Sequence, residues 1–241
     1  MRRSAATILD RMGMLEPARK IWWRIHARGI GSWTPLVPED SFQDCVQRSA
    51  RHLLNHVPPD QFGDYLEFGV SRGNSLACAY HALANLGLDQ VRLVGFDSFE
   101  GMPPESAEEG WPEGVYHSTL GATEKFLDNK GVDLDQVTLV KGWFRDTLSE
   151  ATRQDHELNK ASLIMVDCDI YSASAEALRF SEPQIGDHAV IMFDDWGWRE
   201  EKSERGQKEA FEEFLDANDG ISAEPLPAYR PEARVFHLAR Q

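Results

Sequence analysis

From Tyr65 onward, short unbroken apolar runs alternate with longer stretches in which apolar residues recur every three or four positions. The first pattern marks buried strands, the second helices with one covered face. Strands are predicted at 65–69 (YLEFG), 91–96 (VRLVGF), 137–141 (VTLVK), 162–167 (SLIMVD) and 188–194 (HAVIMFD). Helices are predicted near 74–86, 121–130, 173–181 and 203–217. Strands that do not alternate between apolar and polar are covered on both faces. The pattern therefore implies a mostly parallel sheet built from right-handed crossovers, with helices on either side. Two more strands near 223–228 and 233–239, flanking Tyr229-Arg230-Pro231, are predicted to close one sheet edge as an antiparallel hairpin.

Residues 1–60 follow a different pattern and are expected to form a helical extension or lid on an α/β domain spanning 61–241. Short apolar-periodic stretches at 8–15 and 16–26 are interrupted at 33–38. A helix then starts near Ser41 or Asp44 and runs toward Val57, where Pro58-Pro59 stops it. Trp22, Trp23 and Trp33 read as a satellite apolar cluster, with a pocket cap or subunit contact as the alternative. The segment 98–118 is acidic and rich in proline and glycine, as befits a loop over a binding edge.

Charge narrows the partners. With 25 basic against 40 acidic residues the formal net charge is −15, which repels a phosphate backbone or an anionic membrane. No apolar run is long enough for a membrane span, and Asp10 and Arg11 interrupt the apolar start, so no cleavable signal is expected. Cys45, Cys78 and Cys168 are odd in number and widely spaced, which fits a reducing cytoplasm better than a disulfide or cysteine-zinc framework. Cys168, between two aspartates, reads as a small inward-facing residue rather than a nucleophile. Nothing fixes the oligomeric state; a homodimer is the commonest soluble assembly.

The chemistry gathers where strands end. Asp167 and Asp169 close one apolar run, Asp194 and Asp195 another. Residues just past parallel strands meet at one sheet edge, where open α/β folds bind ligands. Four carboxylates there repel one another and must protonate or acquire a cation. Oxygen-only donors favour a hard ion such as Mg2+ or Ca2+. One division of labour makes Asp167, Asp194 and Asp195 metal ligands and leaves Asp169 to accept a proton. A salt-bridged structural cluster is the alternative, and the scarcity of basic residues nearby in sequence argues against it.

Three further segments accompany the quartet. In YLEFGVSRGNS, Gly69 and Gly73 let the backbone approach a ligand, Asn74 or Ser75 is placed to cap the next helix, and Arg72 offers a cation inside the turn. The Gly-x-Gly-x-x-Gly fingerprint is not met. Asp97 ends the second strand, where an acidic residue serves ribose hydroxyls or a turn. In KGWFRDTL, Trp143 or Phe144 is placed to flank an adenine or to pack inward. His26, His52, His56 and His81 fall on helical stretches and read as surface or satisfied interior residues, and His188 reads as structural. His117 is a catalytic candidate.

Taken in order, EFGVSRGNS, GFDSFEGMP, KGWFRDTL, VDCDIYSAS, VIMFDDW and RGQKEAFEEF resemble the macrocin O-methyltransferase family over roughly residues 60–215. These are enzymes that use S-adenosylmethionine and Mg2+ to methylate sugar hydroxyls in antibiotic biosynthesis. The resemblance implies a Rossmann-like class I methyltransferase core of seven strands. It implies cofactor contacts from Glu67, Gly69 and Ser75 near the methionyl part, Asp97 and Ser98 at the ribose, and Gly142 and Trp143 near the adenine. It also implies Asp167, Asp194 and Asp195 as metal ligands and Asp169 as general base. The chain departs at Cys168, where the family commonly has Gly, and at Ile170, commonly Leu; neither change removes a ligand. The methyl acceptor, a small molecule and by this likeness a sugar, would sit among the N-terminal helices, the 98–118 loop and Trp196-Gly197-Trp198. Two rivals remain. A haloacid-dehalogenase-type phosphatase shares the Asp-x-Asp and later Asp-Asp, but there the first pair opens the fold. A cofactor-binding relative without catalysis would have no need of the intact quartet.

Overall fold

The computed structural model of the chain describes residues 35–197 and 205–241. The stretches 8–15 and 16–26, Trp22, Trp23, Trp33 and Trp198 lie outside the described residues. Helix α1 (Glu39–Leu53) precedes β1 (Asp64–Phe68), α2 (Asn74–Ala84), β2 (Leu93–Asp97), α3 (Leu120–Asn129) and β3 (Val137–Lys141). Then follow α4 (Phe144–Thr147), α5 (Glu150–Asp155), β4 (Ala161–Val166), α6 (Tyr171–Ser181), β5 (Ile185–Phe193), α7 (Gln207–Asp216), β6 (Ile221–Leu226) and β7 (Arg234–Arg240).

The seven strands form one sheet in the order β3-β2-β1-β4-β5-β7-β6. The first five are parallel and β7 runs antiparallel to both β5 and β6, as the hairpin pattern predicts. The chain winds outward from β1 to β3, then crosses back to β4 on the other side of β1. A crevice therefore opens beyond the carboxyl ends of β1 and β4.

Both sheet faces are sealed by apolar side chains. On one, Phe42, Val46 and Leu53 of α1 and Leu76 and Leu83 of α2 pack with Tyr65, Leu163, Val190 and Met192. On the other, Leu178 and Phe180 of α6 and Phe211 and Phe214 of α7 pack with Leu66, Val94, Ile164 and Ile191. Strands β1 and β4 are buried at every position, which is why their sequences do not alternate. Among the described residues no helix is long and apolar enough to cross a membrane.

Four elements differ from the sequence pattern. Helices α4 and α5, of 4 and 6 residues, are too short to develop an apolar period. Strand β5 starts at Ile185, ahead of the polar Gly186-Asp187-His188 that hides it, and its pairing with β4 is irregular there. The 98–118 segment carries a 3-10 turn at Pro104–Glu109. Its Met102 and Val115 pack on Ile170, which seats the segment over the sheet edge.

Candidate active site

A cavity of about 740 Å³ lies over the carboxyl ends of the parallel strands. Gly69, Asp97, Ser98, Gly142, Trp143, Asp167, Asp169, Asp194 and Asp195 line it. Each strand end is pinned by a further backbone bond: Gly69 N–H to Phe96 O (2.9 Å), Asp167 N–H to Phe68 O (2.8 Å), Asp194 N–H to Val166 O (3.2 Å) and Gly142 N–H to Asp97 O (3.0 Å). The side chains that follow are thus launched from a rigid edge. At Gly69 φ is +95°, and a Cβ there would sit 1.8 Å from the Asp167 carbonyl oxygen. Only glycine permits this approach of the first turn to the acidic strand.

Asp97 is held by its own turn. Its carboxylate accepts from Ser71 N–H (2.8 Å) and Phe99 N–H (2.6 Å). Burial pushes its pKa up, and these backbone donors oppose the rise. Ser98 Oγ donates to Gly101 O and accepts from Glu100 N–H, both at 3.0 Å. Glu67 and Ser75 lie below the turn, outside the cavity wall. Ser75 Oγ donates to Glu67 Oε1 (2.8 Å) and the Tyr65 hydroxyl to Oε2 (2.5 Å), while burial carries the Glu67 pKa up to about 8. Arg72 is turned away: its Nε donates to Ser118 Oγ (3.1 Å) and it does not line the cavity, contrary to the cation expected inside the turn. Its neighbour Ser71 instead donates to Tyr116 O (3.1 Å), tying the glycine turn to the loop above it.

The acidic quartet converges. Carboxylate oxygens of Asp167, Asp194 and Asp195 lie within 4.8 Å of one another. Asp169 stands beside them in the left-handed region, φ +59°, which an aspartate tolerates better than most residues. Burial, and then the neighbouring carboxylates, drive the Asp167 and Asp195 pKa values well above the ordinary range. Burial likewise raises the pKa of Cys168, which packs inward with its Sγ 3.5 Å from Ser174 Oγ.

Two residues from the β6–β7 turn reach the quartet and were not legible as site residues. The Tyr229 hydroxyl donates to Asp194 Oδ1, and Arg230 donates to Asp194 Oδ2 and to Asp195 Oδ1 (3.4 Å). The scarcity of nearby basic residues in sequence is therefore no guide to the folded site. One guanidinium still faces several carboxylates, and Asp195 Oδ2 is buried without a hydrogen-bond partner. A buried, unpartnered carboxylate oxygen beside two more carboxylates fits a hard divalent ion.

Gln207, fully buried at the start of α7, couples the two acidic strands. Its Oε1 accepts from Asp195 N–H (2.9 Å) and its Nε2 donates to Val166 O (3.1 Å). Gln207→Ala leaves Asp195 N–H without its partner, while Val166 O keeps the bond from Asp194 N–H, and is expected to cost about 1–3 kcal/mol in urea unfolding; an unchanged midpoint would show that the bridge contributes nothing. Trp196 departs from its expected role. It packs on Phe193, Phe211 and Phe236 rather than lining the cavity, which Gly197 does. His117 does not line it either; burial lowers its pKa.

Solved structures share the fold. The O-methyltransferase NovP superposes with a TM-score of 0.66 at 20% identity, covering 83% of this chain and 80% of that one. The calicheamicin methyltransferase CalS11 gives 0.61 at 21%, covering 80% and 77%. The fold is thus the Rossmann-like class I O-methyltransferase fold. The family model for macrocin O-methyltransferase (TylF) matches residues 40–224, and the chain belongs to that family. A tetracenomycin rhamnosyl 4'-O-methyltransferase of Streptomyces olivaceus is 30% identical over 166 residues, 65% of this chain and 59% of that protein. The mycinamicin III 3''-O-methyltransferase of Micromonospora griseorubida is 27% identical over 168 residues, 65% and 61%. The chain therefore aligns with about three fifths of the length of these relatives.

Proposed function

We propose that this protein is an S-adenosylmethionine- and divalent-metal-dependent O-methyltransferase that acts on a sugar hydroxyl of a natural product. The observation that carries the reading is the convergence of Asp167, Asp194 and Asp195, with Asp169 alongside, in the cavity that Gly69 and Asp97 also line. Family membership supports the cofactor and the reaction class. The names of the relatives, methyltransferases of a rhamnosylated tetracenomycin and of mycinamicin III, support a glycosylated acceptor.

S-adenosylmethionine supplies an electrophilic methyl group to an in-line displacement, so the protein's main task is alignment. The Gly69 turn and Asp97 hold the donor, with Ser98 shaping the turn after β2 and Gly142 and Trp143 flanking the base. Glu67 and Ser75 brace the turn from beneath. Asp167, Asp194 and Asp195 would hold the metal, which when bound polarises the acceptor hydroxyl and lowers its pKa. Asp169 accepts the proton as the oxygen attacks. Trp111, Tyr116 and Met102 of the 98–118 loop wall the acceptor side and exclude water.

Thermal unfolding tests the cofactor. S-adenosylmethionine or S-adenosylhomocysteine at about 100 times its dissociation constant contributes about 2.7 kcal/mol, and a rise in midpoint of several degrees is expected. NAD is the control; a rise with NAD alone would refute the assignment.

A further inference from the structure

Beyond the active site, four imidazoles meet at the opposite end of the sheet. His52 sits in the last turn of α1 and His56 just after that helix. His188 lies five residues before the Asp194-proximal end of β5, about 17 Å of extended chain away from the cavity edge. His237 lies on β7 opposite Val190, so it and His188 are diagonal neighbours on the face that α1 covers. Ring centroids stand 4.6 Å apart for His52–His237 and for His56–His188, and 4.9 Å for His56–His237. Nitrogens of His52, His56 and His237 come within 4.8 Å of one another.

We infer that His52, His56 and His237 form a second metal site, for a borderline transition-metal ion with zinc foremost, that clips the end of α1 to the β5–β7 edge. Imidazole nitrogen is the donor such ions take, and it discriminates against Mg2+ and Ca2+. Two histidines four apart at a helix end, with a third from a neighbouring strand, converge on one point as such sites require. A tetrahedral zinc with bonds of about 2.0–2.1 Å holds its nitrogens about 3.3 Å apart, so closure asks for about 1–1.5 Å of side-chain movement.

Two details favour a ligand over mere packing. His52 Nε2 is sealed from solvent with no hydrogen-bond partner, an arrangement native interiors avoid unless something occupies the position. His188 Nδ1 lies 3.1 Å from His237 Nε2, a hydrogen bond that orients the buried ring as partners of metal-bound histidines do. His56 is exposed and offers the entry path. Glu224, cross-strand from His237, supplies negative charge at the rim.

The test uses the tag-free full chain in excess Mg2+, added to compete for the carboxylates of the cavity. Zn2+ is titrated calorimetrically, and Co2+ by visible absorption. One Zn2+ per chain is expected, with the intense visible bands of low-coordinate, nitrogen-ligated Co2+. His56→Ala, at an exposed position, should weaken Zn2+ binding by at least about tenfold and leave the S-adenosylmethionine thermal shift intact. Asp195→Asn should leave Zn2+ binding unchanged. Zn2+ affinity surviving in His56→Ala but falling in Asp195→Asn would place the ion on the carboxylates and overturn the inference. Weak, octahedral-type Co2+ spectra in the parent protein would overturn it without recourse to any variant.

Discussion

Asp169→Asn is expected to lower kcat by about 10²–10⁴-fold, the usual contribution of a general base, while S-adenosylmethionine binding stays within about twofold of the parent. The side chain lines the cavity beside Asp195, from a residue at φ +59° that follows the fixed end of β4. Asparagine accepts that backbone conformation at little cost and matches the carboxylate in shape. The substitution therefore removes proton affinity and leaves the geometry standing. Rates are measured as S-adenosylhomocysteine released over a panel of rhamnosylated acceptors, and binding by calorimetry. A variant as fast as the parent would take the base role from Asp169. A variant that no longer binds cofactor would make Asp169 a structural residue of the donor pocket instead.

How much of this was legible before folding depends on what each inference required. Asp167, Asp194 and the turn at Gly69 each follow directly from an apolar run, and parallel strands place such residues at one edge whatever the detailed packing. That logic carried the sheet, the hairpin and the meeting of the carboxylates. It did not carry Arg230 and Tyr229, whose arrival depends on register. Phe193 pairs with Arg234, so the turn before β7 falls beside the carboxyl end of β5. An antiparallel neighbour always delivers its preceding turn to that end, and this was the available signal. Gln207 gave none, because its role is to bridge two backbone groups 41 and 12 residues away. Arg72 shows the opposite failure. A charged residue inside a ligand-facing turn invites a functional reading, yet the chain direction at Ser71, φ +45°, sends its side chain to Ser118. Short elements such as α4 failed for want of length, and the start of β5 for want of apolar residues.

Arg230 also supplies the sharpest test of the charge balance on which the metal reading rests. It is the guanidinium that contacts Asp194 and Asp195, and all three side chains are largely covered, at 22%, 6% and 10% exposure. Arg230→Met keeps most of the aliphatic stem but strands buried negative charge, which costs about 3–5 kcal/mol when one partner of a buried pair is removed. In EDTA the variant should therefore unfold well below the parent. Added Mg2+ should recover part of the loss, because a more negative carboxylate cluster binds a dication more tightly and a ligand of the native state stabilises in proportion. The expected signature is a gap between the Mg2+ and EDTA unfolding midpoints that is wider in Arg230→Met than in the parent. Equal gaps would mean that the ion and the guanidinium do not share the charge of Asp194 and Asp195. In that case Arg230 would be the resident counter-ion of the site, and the three carboxylates would have no need of a metal.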